Sequence, residues 1–222
     1  MFVGHYGPSF AAKRVDPTLP LWLLFIAVQF LDVVWAPLVL LGIEKVRIVP
    51  GITRSNPLDL YYMPYTHSLV AAIAWSVSFA AVHWLATGRR RTASSALLGA
   101  AVFSHWLLDL VVHRPDLPLF DNAAKVGLGL WNRPVLAFGL EAFLLLGGIA
   151  WCARKGLVHL WRAVAFGLVM AAVQAAVFFG PPPASPRAAA LTALTAYAVF
   201  AAIIHWIEKR PAADRHPPAL AR

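Results

Sequence analysis

Apolar residues run along this chain in blocks of about 20, and short polar clusters part the blocks. A helix needs about 20 residues to cross the hydrocarbon core of a bilayer. The pattern therefore predicts six spans, at about Leu19–Ile43, Thr66–Thr87, Thr92–Val112, Pro134–Ala153, Leu157–Phe179 and Ala188–Ile207. Gly88 and three arginines divide the second from the third. Pro115 and Pro118 follow the third, Arg154-Lys155-Gly156 turns the chain after the fourth, and Gly180-Pro-Pro-Pro breaks the fifth. Trp22, Trp35, Trp84, Trp131, Trp151, Trp161 and Trp206 fall near span ends, where aromatic belts form.

Composition agrees with this reading. Of the 222 residues, 60% are hydrophobic, against about 45–50% in a soluble domain. The expected fold class is all-α: a polytopic bundle forming one membrane domain over residues 1–207. From 208 to 222 the chain is charged and Pro-rich, which predicts a disordered cytoplasmic tail. Segments of about Glu44–Tyr65 and His113–Arg133 are long for connections in a compact membrane domain, and loops of that length usually carry function.

The net charge of +9 does not point to nucleic acid, because the basic residues flank apolar blocks. There they set topology and meet anionic headgroups. With the N-terminus inside, the inner segments hold Lys13, Arg14, Arg89, Arg90, Arg91, Arg154, Lys155, Arg162, Lys209, Arg210, Arg215 and Arg222, which is 12 of 19. The expectation is N-in, C-in. The single Cys152 excludes an intrachain disulfide and a cysteine-rich metal site. The first residues, MFVGHYGPSF, lack the pattern of a cleaved signal peptide.

Polar residues inside or beside these blocks change the picture most. Asp32 lies half way along span one and His67 opens span two. His105 and Asp109 lie in the outer half of span three, His113 ends it, and Glu141 is about two turns into span four. An ionisable group in hydrocarbon is costly unless paired, hydrated or bound to metal. His105-x-x-x-Asp109 and Asp109-x-x-x-His113 each place both side chains on one helix face. Imidazole and carboxylate are ligands of zinc and similar divalent ions. The simpler account of the first pair is a His–Asp hydrogen bond between helices. No Lys or Arg lies at the depth of Asp32, so its partner is a metal or a histidine. His5 precedes span one, on the wrong side. A short helix over Gly4–Arg14, turned back by Val15-Asp16-Pro17-Thr18, carries it about 15 Å into the bilayer beside span one. A re-entrant N-terminal helix is therefore expected.

Arg114 is a candidate clamp for an anionic group; the alternative is a snorkelling side chain. Glu141 is a candidate ligand or general base, or a residue facing water. Thr66 is expected to cap span two. Asp59, Asp116 and Asp121 are loop carboxylates that can line a mouth. The apolar stretch Val126–Asn132 is expected to fold over the site as a lid.

Gly4-His5-Tyr6, Leu31-Asp32, Thr66-His67-Ser68, the run from Ser104 to Asp109 and His113-Arg-Pro-Asp116 carry a resemblance. Over about its first 140 residues the chain resembles the bacterial inner-membrane metal-dependent hydrolase family, the LexA-regulated membrane hydrolase group. That family looks like a distant membrane relative of zinc-dependent phospholipases C and single-strand nucleases, whose ligands run in a similar order. The resemblance implies a phosphoester hydrolase holding zinc, or manganese, through His5, Asp32, His67, His105 and Asp109. Two departures leave the number of metals open. Span one offers Asp32 alone where the family often has an Asp-x-Asp-His cluster, and Met63-Pro64-Tyr65 stands where a His-Arg pair is common. The second His-x-x-x-Glu pair of the soluble enzymes is missing.

The expectation is therefore a membrane-embedded metal-dependent hydrolase acting on a lipid phosphoester or other amphipathic substrate. Its metal lowers the pKa of bound water, Asp32 orients the water, Arg114 holds the anion, and His113 or Glu141 moves protons. The rival is a divalent-metal or proton transporter built on the same residues. A third possibility is a scaffold whose metal only ties helices together. The sequence does not set the oligomeric state.

Overall fold

In a computed structural model, which describes residues 1–208, the protein is an all-α bundle with one small sheet. The order is α1 (Tyr6–Val15, preceded by a 3-10 turn at Val3–His5), α2 (Leu21–Val28), α3 (Phe30–Leu40), β1 (Lys45–Ile48), β2 (Leu58–Tyr62), α4 (Leu69–Thr87), α5 (Thr92–Val112), α6 (Pro134–Ala153), α7 (Leu160–Phe179) and α8 (Pro186–Ile207). Five of these helices are long and apolar enough to cross a membrane, or six if α2 and α3 form one span. This is a membrane protein.

Span one differs from its expectation, because it is broken. α2 and α3 meet at Gln29 with a bend of 56°. The break frees the carbonyl of Val28 from the helical ladder, and His105 Nδ1 donates to it at 2.8 Å. A side chain inserted into the ladder is a recognised cause of a sharp kink. The tilt brings Asp32, in the first turn of α3, towards α5.

The N-terminal helix folds back along α2 and is wedged between α5 and α6. Its turn is built by Asp16, which accepts from Thr18 N at 2.9 Å and Thr18 Oγ1 at 2.6 Å, and from Ser94 Oγ on α5. Burial would raise the Asp16 carboxyl, but these hydrogen bonds hold it below its ordinary value. Lys13 is buried beside the turn. It donates to the carbonyls of Pro17 and Leu19 at 2.7 and 2.8 Å and pairs with Glu208 at the end of α8. The other Glu208 oxygen accepts from Leu21 N, the first amide of α2. Glu208, the first residue of the predicted tail, is therefore packed into the bundle, and residues 209–222 lie outside the described residues.

α1 lies close to α6 because glycine faces glycine. A Cβ on Gly7 would stand 2.6 Å from Leu144 O, and one on Gly148 would stand 2.8 Å from Gly7 O. Lipid offers little hydrophobic gain for helix association, so such close approach supplies much of the attraction. α4 packs on α5, α7 on α6, and α8 on α2 and α3. The sheet departs from the purely helical expectation. β1 and β2 pair antiparallel within the first long loop, with Lys45 opposite Tyr62 and Ile48 opposite Leu58.

The second long loop folds onto the end of α5. Leu128 N donates to Leu110 O at 2.8 Å and Gly129 N to His113 O. Gly127 has φ +154°, and a Cβ there would collide with Arg114 O. Thr66 does not cap α4. Ser68 does, accepting from Ala71 N at 3.1 Å, and Pro118 O takes the next amide, Leu69 N.

Gly7→Val should push α1 off α6, carry His5 out of position and destabilise the fold by about 1–3 kcal/mol, the usual cost of overpacking. Thermal unfolding in detergent, compared with Gly139→Val, whose Cβ meets open space, checks this.

Candidate metal centre

Asp109 lies at the centre of the polar cluster, 2% exposed and surrounded by imidazoles. His5 Nε2 is 3.2 Å from its Oδ1. His105 Nε2, His113 Nε2 and His67 Nε2 stand 3.2, 3.6 and 3.7 Å from its Oδ2. Asp32 Oδ1 is 3.3 Å from His67 Nε2 and 3.8 Å from His105 Nε2. The amino group of Met1 also pairs with Asp109 Oδ1. The rings of His5 and His105 stack with centroids 3.8 Å apart. The 3-10 turn before α1, helix α3, the loop before α4, and α5 with its C-terminal cap thus bring together six side chains.

The outer nitrogens of three rings decide what this arrangement can hold. A carbonyl or carboxylate can only accept. His105 Nδ1, bonded to Val28 O, and His113 Nδ1, bonded to Asp116 Oδ1 at 2.8 Å, therefore carry their protons. His67 Nδ1 lies 2.7 Å from Thr66 Oγ1, which itself donates to Glu44 Oε2 at 2.6 Å. The hydroxyl proton is committed to Glu44, so His67 Nδ1 is the donor to Thr66. In neutral rings all three Nε2 atoms then present lone pairs to carboxylate oxygens.

Lone pairs facing negative oxygens at such distances repel unless a cation lies between them. The nitrogen–oxygen separations exceed the 2.7–2.9 Å of charge-assisted hydrogen bonds. Two ligands of a tetrahedral zinc, each about 2.0–2.1 Å from the ion, stand about 3.4 Å apart. The closest pairs here are at 3.2, 3.2 and 3.3 Å. His5 Nδ1 and Nε2 and His105 Nε2 are buried without a hydrogen-bond partner among the described residues. Two groups, His5–His105–Asp109 and Asp32–His67–His105, each offer ligand atoms within 4.8 Å of one another and can hold a metal ion. His105 Nε2 can serve only one ion at a time, whereas Asp109 has an oxygen on each side.

Two candidates from the sequence have other work. Glu141 is fully buried. Its Oε2 accepts from the amides of Phe2 and Gly4 at 2.9 and 3.1 Å, and its Oε1 from Gln174 at 3.2 Å. It anchors the segment that bears His5. Arg114 is engaged by Asp59 Oδ1 and lies 3.1 Å from Asp116 Oδ2, while Asp59 also pairs with Arg47. Its Nη2 is committed to Asp59, which ties the guanidinium to the loop carboxylates.

Glu44 and Tyr197 were not candidates from the sequence. Glu44, 1% exposed, also accepts from the amides of Tyr65 and Thr66 at 2.8 and 3.0 Å. Burial pushes its carboxyl above the ordinary range, against the pull of His67 and the Thr66 bonds. Tyr197 Oη donates to Asp32 Oδ2 at 2.7 Å. A cavity of about 540 Å³ lies beside the cluster, lined by Asp32, His67, Asp109 and His113 together with residues of α7 and α8, Tyr197 among them.

Outer partners that fix a ligating histidine typically contribute 10–100-fold in metal affinity. Glu44→Gln and Thr66→Val should each weaken metal binding by about that factor while leaving the helical content unchanged. Competition with a chromogenic chelator, read beside circular dichroism, checks both.

Neither a protein-family model, nor a curated protein, nor a solved structure matches the chain.

Proposed function

We propose that the protein is a membrane-embedded metal-dependent hydrolase of amphipathic phosphoesters, with zinc as the metal and manganese as a substitute. One observation carries the reading: three imidazoles, held at Nδ1 by Val28, Asp116 and the Thr66–Glu44 pair, turn their Nε2 atoms onto the Asp32 and Asp109 carboxylates. The resemblance to the bacterial inner-membrane hydrolase group, resting on these same residues, supports it. On that reading the chain lies in a bacterial inner membrane, N-in and C-in, with the site in the outer half.

A divalent ion bound there supplies a Lewis acid and a water acidic enough to react near neutral pH. His5, Asp32, His67, His105 and Asp109 would hold it. Tyr197, by donating to one oxygen of Asp32, leaves the other directed at His67. His113 and Asp116 form a dyad at the mouth of the cluster, and His113 Nε2 is placed to take a proton from the attacking water and return it to the leaving alkoxide. Trp131 packs on the His113 ring at 4.2 Å and fixes its plane.

The transporter alternative needs a route to the far face. On that side of the cluster Tyr6, Phe10, Leu24, Phe25 and Leu98 are fully buried against one another. Gln29, which donates to Phe2 O, and Gln174, which donates to Glu141, both tie down the N-terminal segment. Access from one side suits an enzyme.

Detergent-purified protein should carry one or two zinc or manganese ions per chain by plasma mass spectrometry. His105→Ala/Asp109→Ala should carry none and should lose phosphodiester hydrolysis to background. In the wild type, chelation should abolish hydrolysis and added zinc restore it. A protein that keeps its metal and hydrolyses no phosphoester in a phospholipid and nitrophenyl-phosphate panel would contradict the reading.

A further inference from the structure

Helix α1 is short, and it stands between α5 and α6. Its 10 residues rise about 15 Å, which is about half of a bilayer's hydrocarbon core. One flank packs on α2 and another on α6. Along the flank that remains runs a groove of about 600 Å³. Pro8 and Ala11 form its floor, Ala100 and Ser104 of α5 one wall, and Phe143 and Gly147 of α6 the other. The groove faces outward. Val15, Phe143 and Trp151 line it and are 68%, 72% and 44% exposed, and Ala100 and Gly147 are exposed as well. In a membrane protein such a surface meets lipid. The one hydroxyl in the lining, Ser104 Oγ, donates to Ala101 O at 2.7 Å, and no charged side chain lines the groove among the described residues.

Size and charge narrow the occupant. From Phe143 to Trp151 the groove runs about 12 Å along α6, at about 1.5 Å per residue. Its volume over that length leaves a cross-section of about 50 Å², against about 80 Å² or more for a helix 10–12 Å across. A hydrocarbon chain fits, and a whole helix does not. The end at the Asp16 turn is basic. Arg14 Nη1 donates to Trp151 O at 2.9 Å in an exposed bond, and its guanidinium carbon lies 5.0 Å from the Trp151 ring centroid. A guanidinium has further N–H donors, and no carboxylate pairs with Arg14 among the described residues. Asp16, two residues on, is taken by Thr18 and Ser94. Arg154 and Lys155 beyond the end of α6, and Arg89–Arg91 before α5, are exposed on the same side.

We propose that an anionic phospholipid is bound in this groove, with an acyl chain laid along α1 between α5 and α6 and its phosphate on Arg14, and that it braces α1 in the bundle. The occupant follows from complementarity along one surface: an uncharged groove open to lipid, ending at an unpaired guanidinium within a basic rim. A zwitterionic lipid has the same chain and lacks the net charge that the rim attracts. His5 stands immediately before α1. A lipid that binds only the packed helix therefore adds its binding free energy to the placement of His5. The groove shares no residue with the cavity beside the cluster, so this lipid is a bound partner and not the substrate. The proposal does not rest on the hydrolase reading.

The test is photo-crosslinking of the whole protein in phosphatidylcholine vesicles. These carry a trace of either phosphatidylglycerol or phosphatidylcholine with a diazirine in one acyl chain, and adducts are mapped by peptide mass spectrometry. Helix α4, whose Val70, Ile73 and Val77 are exposed, reports ordinary lipid contact. In the wild type, phosphatidylglycerol should label Pro8–Val15 and Gly147–Trp151 about fivefold more than phosphatidylcholine does, relative to α4, the worth of one basic contact at a headgroup. Arg14→Gln should erase most of that preference. Gly147→Phe fills the groove without a clash, since a Cβ there meets nothing within 4 Å. It should abolish groove labelling by both lipids at unchanged helical content. Gly139→Phe, equally open but outside the groove, should not. Hydrogen exchange reads the brace: vesicles of phosphatidylglycerol should slow exchange of the Tyr6–Val15 amides several-fold against phosphatidylcholine, and not in Gly147→Phe. A groove preference no greater than that on α4, or one that survives Arg14→Gln, would mean ordinary surrounding lipid and overturn the proposal. Chain-to-chain crosslinks from Gly147→Cys in place of lipid adducts would seat a second copy there and overturn it as well. Exchange of α1 that ignores the lipid would overturn the brace. None of these readouts needs a metal, so their failure leaves the hydrolase reading standing, and a protein without metal leaves them intact.

Discussion

Everything at this site follows from placing a carboxylate among histidines where neither can be left alone. Asp109 is almost fully buried in an apolar bundle, with four imidazoles around its two oxygens. An unpaired charge there would cost several kcal/mol or more. The bundle invests a whole helix to satisfy it: α1 folds back into the bilayer region, against glycine contacts on α6, to bring His5 to Asp109. The break at Gln29 serves the same end, since it releases the carbonyl that orients His105.

The geometry is held from outside the membrane as much as from within it. His67 is set by Glu44, just before the β-hairpin, and His113 by Asp116 in the second long loop. Asp59 on β2 ties that loop back to the hairpin through Arg114. The two long loops therefore work as one support. Arginine and carboxylates that look like substrate contacts in the sequence are consumed in that support.

Much of this was legible in the sequence because helices have a period. His105 and Asp109 share a face whatever the tertiary structure, and the spans follow from their length and hydropathy. The return of α1 could be read because Asp16-Pro17-Thr18 is a turn signal between two helical stretches. What the sequence hid depends on contacts that have no spacing. Glu44 meets Thr66 across a hairpin, and Tyr197 meets Asp32 across 165 residues. Trp35 and Trp131 resemble every other tryptophan near a span end until burial separates them. The break at Gln29 carried no proline or glycine to announce it. A buried acid such as Glu141 invites chemistry in the sequence, and its bonds to two backbone amides have no spacing that would reveal them.

X-ray absorption at the edge of the bound metal tests the central claim most directly, because it sees the ligands themselves. The account predicts a shell of nitrogen and oxygen at about 2.0–2.1 Å, without sulfur, and outer-shell scattering from at least two imidazoles per ion that weakens in His105→Ala. A shell of water oxygens with no imidazole scattering would show that the cluster does not bind the metal, and would contradict the account.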